Sequence, residues 1–181
     1  MTTWALLASG PSASVEVANK VRDLPMVAVG NGFQLADWAQ IIAASDAAWW
    51  RSFPEARQRP AAKFCMASGV RDIERVRIDA LGAVVNSGVL GLECAVRAGA
   101  TRILLLGTDM CGSHFFGPYA SLRNTKPHQR LQHLKQYAAW ARINRKVEVL
   151  NCTPGSALDC FPKADLDACL AELAAQRLAA A

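Results

Sequence analysis

The sequence lacks any uninterrupted apolar run long enough to cross a membrane, and its opening Met1-Thr2-Thr3 has no basic residue. A transmembrane helix needs about 20 predominantly apolar residues, and a secretory signal peptide begins with a positively charged segment. Neither pattern is present, although apolar residues make up 52% of the 181-residue chain. We therefore expect a soluble, cytoplasmic protein that has no membrane partner.

Closely spaced cysteines and histidines are missing as well. The six cysteines form no Cys-x-x-Cys pair, and the three histidines form no His-x-x-x-His pair. Zinc sites and redox-active cysteine pairs are usually built on such spacings. We expect no metal site, and we expect the cysteines to be reduced and structural. They are Cys65, Cys94, Cys111, Cys152, Cys160 and Cys169.

Internal repeats and domain linkers are absent. A chain of 181 residues with this apolar content can build one full core without disulfides or metal. Apolar runs of strand length alternate with helical patterns, an order typical of a parallel sheet with helices on both faces. We predict one Rossmann-like α/β domain over residues 1–181. The predicted strands are 4–8, 26–29, 41–45, 63–67, 75–78, 102–107 and 147–150; the predicted helices are 14–21, 35–39, 88–98, 128–143 and 164–178; the predicted long loops are 51–62 and 110–126.

Acidic residues are fewer than basic ones, 15 against 20, which gives a formal net charge of +5. The basic residues concentrate in residues 51–77 and 123–146. Such charge favours a polyanion or a phosphorylated small molecule, and it equally fits an ordinary solvated surface. Because no nucleic-acid-binding motif accompanies the charge, nucleic acid is an alternative partner that the sequence does not favour.

Two turns of small polar residues are the clearest candidates for a binding site. Ser9-Gly10-Pro11-Ser12 follows the first strand, and Asn86-Ser87-Gly88 opens the helix at 88–98. The first turn lacks the lysine of a P-loop and the spacing of a dinucleotide fingerprint, so alone it is an ordinary turn. The second has good capping residues, and a helix start offers backbone N–H groups to an anion. Together the two turns indicate a nucleotide-like ligand.

Other polar residues follow strands, where open α/β sheets place ligands. Asp109 comes after a continuous apolar run. Asn31, between glycines, is either a turn residue with positive φ or an amide that grips a base or ribose. Asp46 either binds a sugar hydroxyl or caps a helix that carries two tryptophans. Asn151 and Ser156, after the last strand, either bind ligand or organise the chain before the last helix.

The adjacent tryptophans and the histidines complete the candidates. Of Trp49 and Trp50 we expect one in the core and one beside a pocket, because exposing both is costly. His128 follows Pro127 at a helix start, where the helix dipole favours the neutral imidazole that a general base requires. His114 lies in the loop 110–126, whose length is typical of functional segments. His133, five residues after His128, fits poorly on the same helix face.

The order and spacing of these segments resemble the bacterial sialyltransferases that use CMP-sialic acid. That resemblance rests on Gly10-Pro11-Ser12, Asn31, Asn86-Ser87-Gly88 and the run from Ile103 to Asp109. The chain is similar, more closely, to phage-encoded proteins of the same predicted fold. This second likeness rests on residues 29–50, 107–117 and 149–162. Together the matching segments cover most of residues 4–162.

The resemblance implies roles for individual residues. The two turns of the sialyltransferases hold the cytidine nucleotide, which implicates Gly10, Pro11, Ser12, Asn31, Ser87 and Gly88. Their catalytic histidine precedes the long helix before the last strand, as His128 does here, and it deprotonates the acceptor hydroxyl. His114 is the rival, because the phage-type pattern has a histidine in its loop. The family uses two phosphate-binding tyrosines. In this sequence Tyr119 is the one candidate for that role, and Arg123 is a candidate replacement for the second tyrosine.

We therefore expect a protein that binds a nucleotide or nucleotide-sugar, of the CMP type, and transfers the sugar to an unidentified acceptor. No cofactor is obligatory, because hydroxyl and basic groups can hold the leaving phosphate. Two alternatives stay open: a non-enzymatic phage or host-interaction protein that retains the fold, and a nucleic-acid-binding protein. The oligomeric state is not predicted. The nucleotide-binding candidates are Ser9, Gly10, Pro11, Ser12, Asn31, Asp46, Asn86, Ser87, Gly88, Asp109, Tyr119, Arg123, Asn151 and Ser156, and the catalytic candidates are His128 and His114.

Overall fold

The strands of the structure lie side by side in one parallel sheet. The computed structural model describes residues 1–82 and 84–179, and within them the sheet has seven strands in the order β5-β4-β3-β2-β1-β6-β7. Every neighbouring pair is parallel. The strands are β1 (Thr3–Leu7), β2 (Met26–Val29), β3 (Ile41–Ala43), β4 (Ala62–Cys65), β5 (Glu74–Arg75), β6 (Arg102–Leu106) and β7 (Glu148–Asn151). The predicted α/β class is confirmed.

Helices cover both faces of the sheet. They are α1 (Val15–Lys20), α2 (Ala47–Ser52), α3 (Pro54–Gln58), α4 (Ser87–Arg97), α5 (Pro127–Ile143) and α6 (Leu166–Ala179). Alternate residues of β1 and β6 enter opposite halves of the core, because successive side chains of a strand point to opposite faces. The half of the core that contains Leu6 and Leu105 packs with α4 and α5. The half that contains Leu7 and Leu106 packs with α1 and α6. No helix within the described residues is long and apolar enough to span a membrane.

The strand order reverses between β1 and β6. From β1 the chain moves outward through β2 to β5, and it then returns through α4 to β6 on the other side of β1. In open α/β sheets a crevice forms at such a reversal, beyond the carboxyl ends of the strands, and ligands bind there. The polar segments that follow β1, β2, β3 and β6 therefore converge at one edge of the sheet.

Two local predictions are wrong. Residues 51–62 are not a loop throughout, because α2 ends at Ser52 and α3 runs from Pro54 to Gln58. Proline is compatible with the first turn of a helix, since the N–H that it lacks has no partner there. The helix expected at 35–39 is also absent, and the helical turn in that region is the 3₁₀ segment Gly30–Gln34. A second 3₁₀ turn, Asp79–Leu81, was not predicted.

Candidate functional site

A cavity of about 800 Å³ lies at the carboxyl edge of the sheet, over the reversal between β1 and β6. Its floor comes from the strand ends at residues 8–10, 29–30, 45–46 and 107–109. Residues 84–88 and one face of α5 form a wall, and the loop 110–125 covers the opening. This volume is in the range of small-ligand sites. Ser9, Gly10 and Ser87 lie around this one cavity, as the strand-end argument predicts.

The first turn is organised around a buried carboxylate. Ser12 donates from its backbone N and its Oγ to the two carboxylate oxygens of Asp109, at 3.2 and 2.9 Å. A Cβ atom added at Gly10 would overlap Asp109 Oδ2 and lie 2.5 Å from the Gly107 carbonyl oxygen. Burial raises the pKa of Asp109, and the two bonds from Ser12 oppose that rise. Pro11 and Ser12 do not line the cavity, so the turn meets a ligand only through Ser9 and Gly10.

The second turn is largely occupied by its own cap. Asn86 Oδ1 accepts from the backbone N–H groups of Gly88 and Val89, at 3.0 and 3.1 Å. Its backbone N and Nδ2 both donate to Gln136 Oε1 of α5, at 2.9 Å. Ser87 Oγ accepts from the backbone N of Ser45 at 3.0 Å. Asn86 therefore occupies two of the N–H groups at this helix start, and its side chain serves the scaffold.

Two buried hydroxyls of the cavity were missed by sequence reasoning. Tyr137 is 2% exposed and its Oη lies against Gly88, where an added Cβ would overlap it. Among the described residues this hydroxyl has no hydrogen-bond partner, and burial raises the pKa of Tyr137, so the group stays protonated. Ser45 is 5% exposed, and its buried Oγ has no hydrogen-bond partner in the part of the chain that the structure describes. Neither residue stands out in the sequence, since both occur within apolar patterns.

The structure corrects the expected placement of the histidines. His128 is exposed and does not line the cavity, whereas His133 and His114 do. A helix turns by about 100° per residue, so His128 and His133 point about 140° apart around α5. The cavity side of α5 carries Gln129, Arg130, Gln132, His133, Gln136 and Tyr137. His128 is therefore not positioned to act as a base in this cavity.

The two histidines of the cavity have different surroundings. Burial lowers the pKa of His133, and the charge of Asp46 raises it. Burial also lowers the pKa of His114; a hydrogen bond with the Gly117 backbone raises it, and the nearby Arg130 lowers it. The ring of His114 stacks on Phe116 with 4.9 Å between ring centroids, and its buried Nδ1 has no partner within residues 1–82 and 84–179.

The sequence leaves Asn31 open as a turn residue or as a contact with a base or ribose, and in the structure its side chain holds two aromatic residues. Its Oδ1 accepts from Trp49 Nε1 at 2.9 Å and from Tyr119 Oη at 2.7 Å. Asn31 is 2% exposed and does not line the cavity, so its carbonyl oxygen anchors two aromatic residues that do. Trp50, by contrast, is fully buried and donates to the Ala44 carbonyl oxygen, so the two tryptophans differ in environment as expected.

Asn151 and Ser156 lie below the site rather than in it. Asn151 Nδ2 donates to Ser156 Oγ at 3.1 Å and to the Leu158 carbonyl oxygen at 2.9 Å. Ser156 Oγ donates to the Thr108 carbonyl oxygen at 2.6 Å. Both side chains are buried, and neither lines the cavity. They support the turn before Asp109, and they line a second cavity of about 760 Å³.

The charged groups around the opening carry both signs. Arg123 lines the cavity from the covering loop, and Arg130 lines it from α5 while donating to the Gly112 carbonyl oxygen. Asp46 is exposed at the start of α2 but makes no capping hydrogen bond there. Within residues 1–82 and 84–179, no group of three or more histidine, cysteine or acidic side chains is arranged to hold a metal ion.

Comparison with known proteins gives one informative result. No protein-family profile matches the chain, and no curated protein matches it. Among solved structures, it is similar to that of MAf glycosyltransferase from Magnetospirillum magneticum AMB-1, with a TM-score of 0.62 at 14% sequence identity. The similarity covers 91% of this chain and 34% of that one, so the chain spans about a third of the length of the glycosyltransferase. The fold is glycosyltransferase-like.

Proposed function

We propose that this chain binds a nucleotide-sugar in the cavity at the carboxyl edge of the sheet and transfers the sugar to a hydroxyl acceptor. The observation that carries the proposal is the cavity itself, at the reversal of strand order, with the buried Ser45 Oγ, which has no hydrogen-bond partner among the described residues. Such a group is costly to bury unless something hydrogen-bonds it. The similarity in fold to a glycosyltransferase supports the same conclusion.

Within that class we propose a CMP-type nucleotide. The support is the resemblance to sialyltransferases that use CMP-sialic acid, carried by the turns at Gly10 and Ser87. Origin in a phage rests on the segments similar to phage-encoded proteins, and we keep it as part of the proposal. A cytidine monophosphate leaving group needs hydrogen-bond donors at its phosphate, and Arg123 and Tyr137 are the donors that we assign to it.

The carboxylates have a separate part in the proposal. Asp46 is exposed to the cavity and is suited to accept a hydrogen bond from a sugar or ribose hydroxyl. Asp109 holds the first turn in place through Ser12 and presents little free oxygen to a ligand. Of the predicted binding residues, Ser9, Gly10, Asp46, Ser87, Gly88, Asp109, Tyr119 and Arg123 line the cavity together with Asn86.

The test is ligand binding by isothermal titration and by thermal unfolding. We expect CMP and CMP-sialic acid to bind, and UMP, UDP-N-acetylglucosamine and a short DNA duplex to bind more weakly. A ligand at 100 times its Kd stabilises the native state by about 2.7 kcal/mol, or roughly 5–11 °C in Tm for a chain of this size.

Two serine variants sharpen the test. Ser87→Ala removes a hydroxyl from the cavity and should weaken CMP binding, whereas Ser121→Ala changes an exposed serine that does not line it. Equal affinity of the two variants would contradict the placement of the nucleotide. Absence of binding by every nucleotide would refute the proposed function, and salt-sensitive binding of DNA alone would favour a nucleic-acid-binding protein.

A further inference from the structure

We propose that His133, which lines the same cavity as Asp46, is the group that takes the proton from the acceptor hydroxyl. This inference rests on the proposed function and names a residue of that same site. It differs from the position implied by the sequence resemblance, because His128 lies outside the cavity.

The docking of α5 determines where His133 lies. One turn further along the helix, Tyr137 packs its Oη against Gly88, and the neighbouring Gln136 Oε1 accepts two hydrogen bonds from Asn86. Residues four apart lie on the same face of a helix, one above the other. His133 is therefore held above the Ser87 turn, on the wall of the cavity.

Asp46 supplies the carboxylate that a protonated imidazole needs. It follows β3 and lines the same cavity as His133. Among the described residues its carboxylate makes no hydrogen bond or ion pair within the usual distances, so the group is free to act in the cavity. Its charge raises the pKa of His133, against the lowering that burial causes. A neutral imidazole that takes a proton becomes positively charged, and a nearby carboxylate stabilises that state.

The rival histidine of the cavity lacks this support. Burial lowers the pKa of His114, a hydrogen bond with the Gly117 backbone raises it, and the positive charge of Arg130 lowers it; no carboxylate of the described residues is among these causes. The other charged groups around the cavity are Arg123 in the covering loop and Asp109 at the end of β6. Asp109 accepts two hydrogen bonds from Ser12, which leaves Asp46 as the free carboxylate of the described cavity lining.

The proposed step balances without an oxidant or a metal. The acceptor oxygen gives its proton to an imidazole nitrogen of His133 and forms a bond to the anomeric carbon of the sugar. The bond between that carbon and the phosphate oxygen breaks, and its electron pair leaves with CMP. The imidazolium of His133 then releases its proton to solvent. With water as the acceptor, the same step releases CMP and the free sugar.

The first experiment measures CMP release from CMP-sialic acid, with water or an added hydroxyl acceptor, alongside CMP affinity. We expect His133→Gln to lower kcat by roughly 10²–10⁴ while the Kd for CMP changes by less than about twofold. Lys135→Gln, an exposed neighbour on α5, serves as the matched control and should change neither quantity. His128→Gln tests the rival position: if it abolishes turnover while His133→Gln does not, the inference is wrong.

The second experiment measures the pairing directly, by NMR titration of the histidine side chains. Asp46→Asn should lower the pKa of His133, and it should move the acidic limb of the pH–rate profile to lower pH. An unchanged His133 titration would overturn the pairing. If the wild-type chain binds no nucleotide, the proposed function fails; if it binds CMP and His133→Gln releases CMP at the wild-type rate, only this inference fails.

Discussion

The contact between Gly88 and Tyr137 allows a sharp test of how the cavity wall is built. A Cβ atom at Gly88 would overlap Tyr137 Oη and lie 2.8 Å from Tyr137 Cζ. The tyrosine is 2% exposed, and its helix is tied to Asn86 through Gln136, so the ring has little room to withdraw. Overpacking of this kind typically costs about 1–3 kcal/mol.

The opposing effect is the helix propensity of alanine, which exceeds that of glycine by up to about 1 kcal/mol. We therefore expect Gly88→Ala to destabilise the protein by about 1–2 kcal/mol, roughly 2–8 °C in Tm for a chain of this size. Urea unfolding followed by tryptophan fluorescence measures the change. A variant as stable as the wild type would refute the reasoning, because propensity alone would then decide the outcome.

A second substitution isolates the contact. Tyr137→Phe removes the hydroxyl, which has no protein partner among the described residues, so alone it should change stability by less than about 0.5 kcal/mol. Combined with Gly88→Ala it should recover about 1 kcal/mol of the loss, since it removes the overlapping oxygen. Additive effects of the two substitutions would contradict the proposed geometry.

Three further predictions concern buried groups near the site. Trp50→Ala should cost about 3–5 kcal/mol in urea unfolding, because the side chain is fully buried and Nε1 donates to a backbone carbonyl. Burial raises the pKa of Asp109 above its unfolded value, which is near 4, so folding favours the protonated carboxyl. This contribution to the free energy of unfolding is fully present below the unfolded pKa, and it is lost as pH rises through the folded pKa. Asp109→Asn should therefore gain in urea midpoint relative to the wild type between pH 4 and pH 7, and a constant difference would contradict this. Tyr119→Phe should cost about 1 kcal/mol, measured by the same unfolding assay, because Asn31 Oδ1 loses a donor in a buried setting.

Much of the sheet is predictable because its strands are covered on both faces. Continuous apolar runs such as Ile103 to Leu106 can be recognised as strands from the local sequence alone. The short helices α2 and α3 are different, since helices of six and five residues are unstable in isolation. They exist because Trp50 and Ala56 pack into the core, which local sequence does not reveal.

The candidate site shows the same division. The carboxyl ends of parallel strands lie at one edge of the sheet, so the order of the elements predicts that Gly10 and Ser87 line the same cavity. The orientation of His128 depends on the phase of α5 against the sheet, which is set by long-range packing of Tyr137. The hydrogen bonds that Trp49 and Tyr119 donate to Asn31 could not be predicted from the sequence either, because those residues are 18 and 88 positions away in the chain.

The double hydrogen bond from Asn86 to Gln136 has a consequence for how this wall opens. Asn86 holds the amide protons of Gly88 and Val89, and Gln136 holds Asn86. We therefore expect the amide protons of the first turn of α4 to exchange with solvent when α5 separates from α4 and the bonds between Asn86 and Gln136 break. The two helices should then behave as one cooperative unit in hydrogen exchange. A ligand that contacts only the Ser87 turn would slow exchange along α5 as well, well beyond its own footprint.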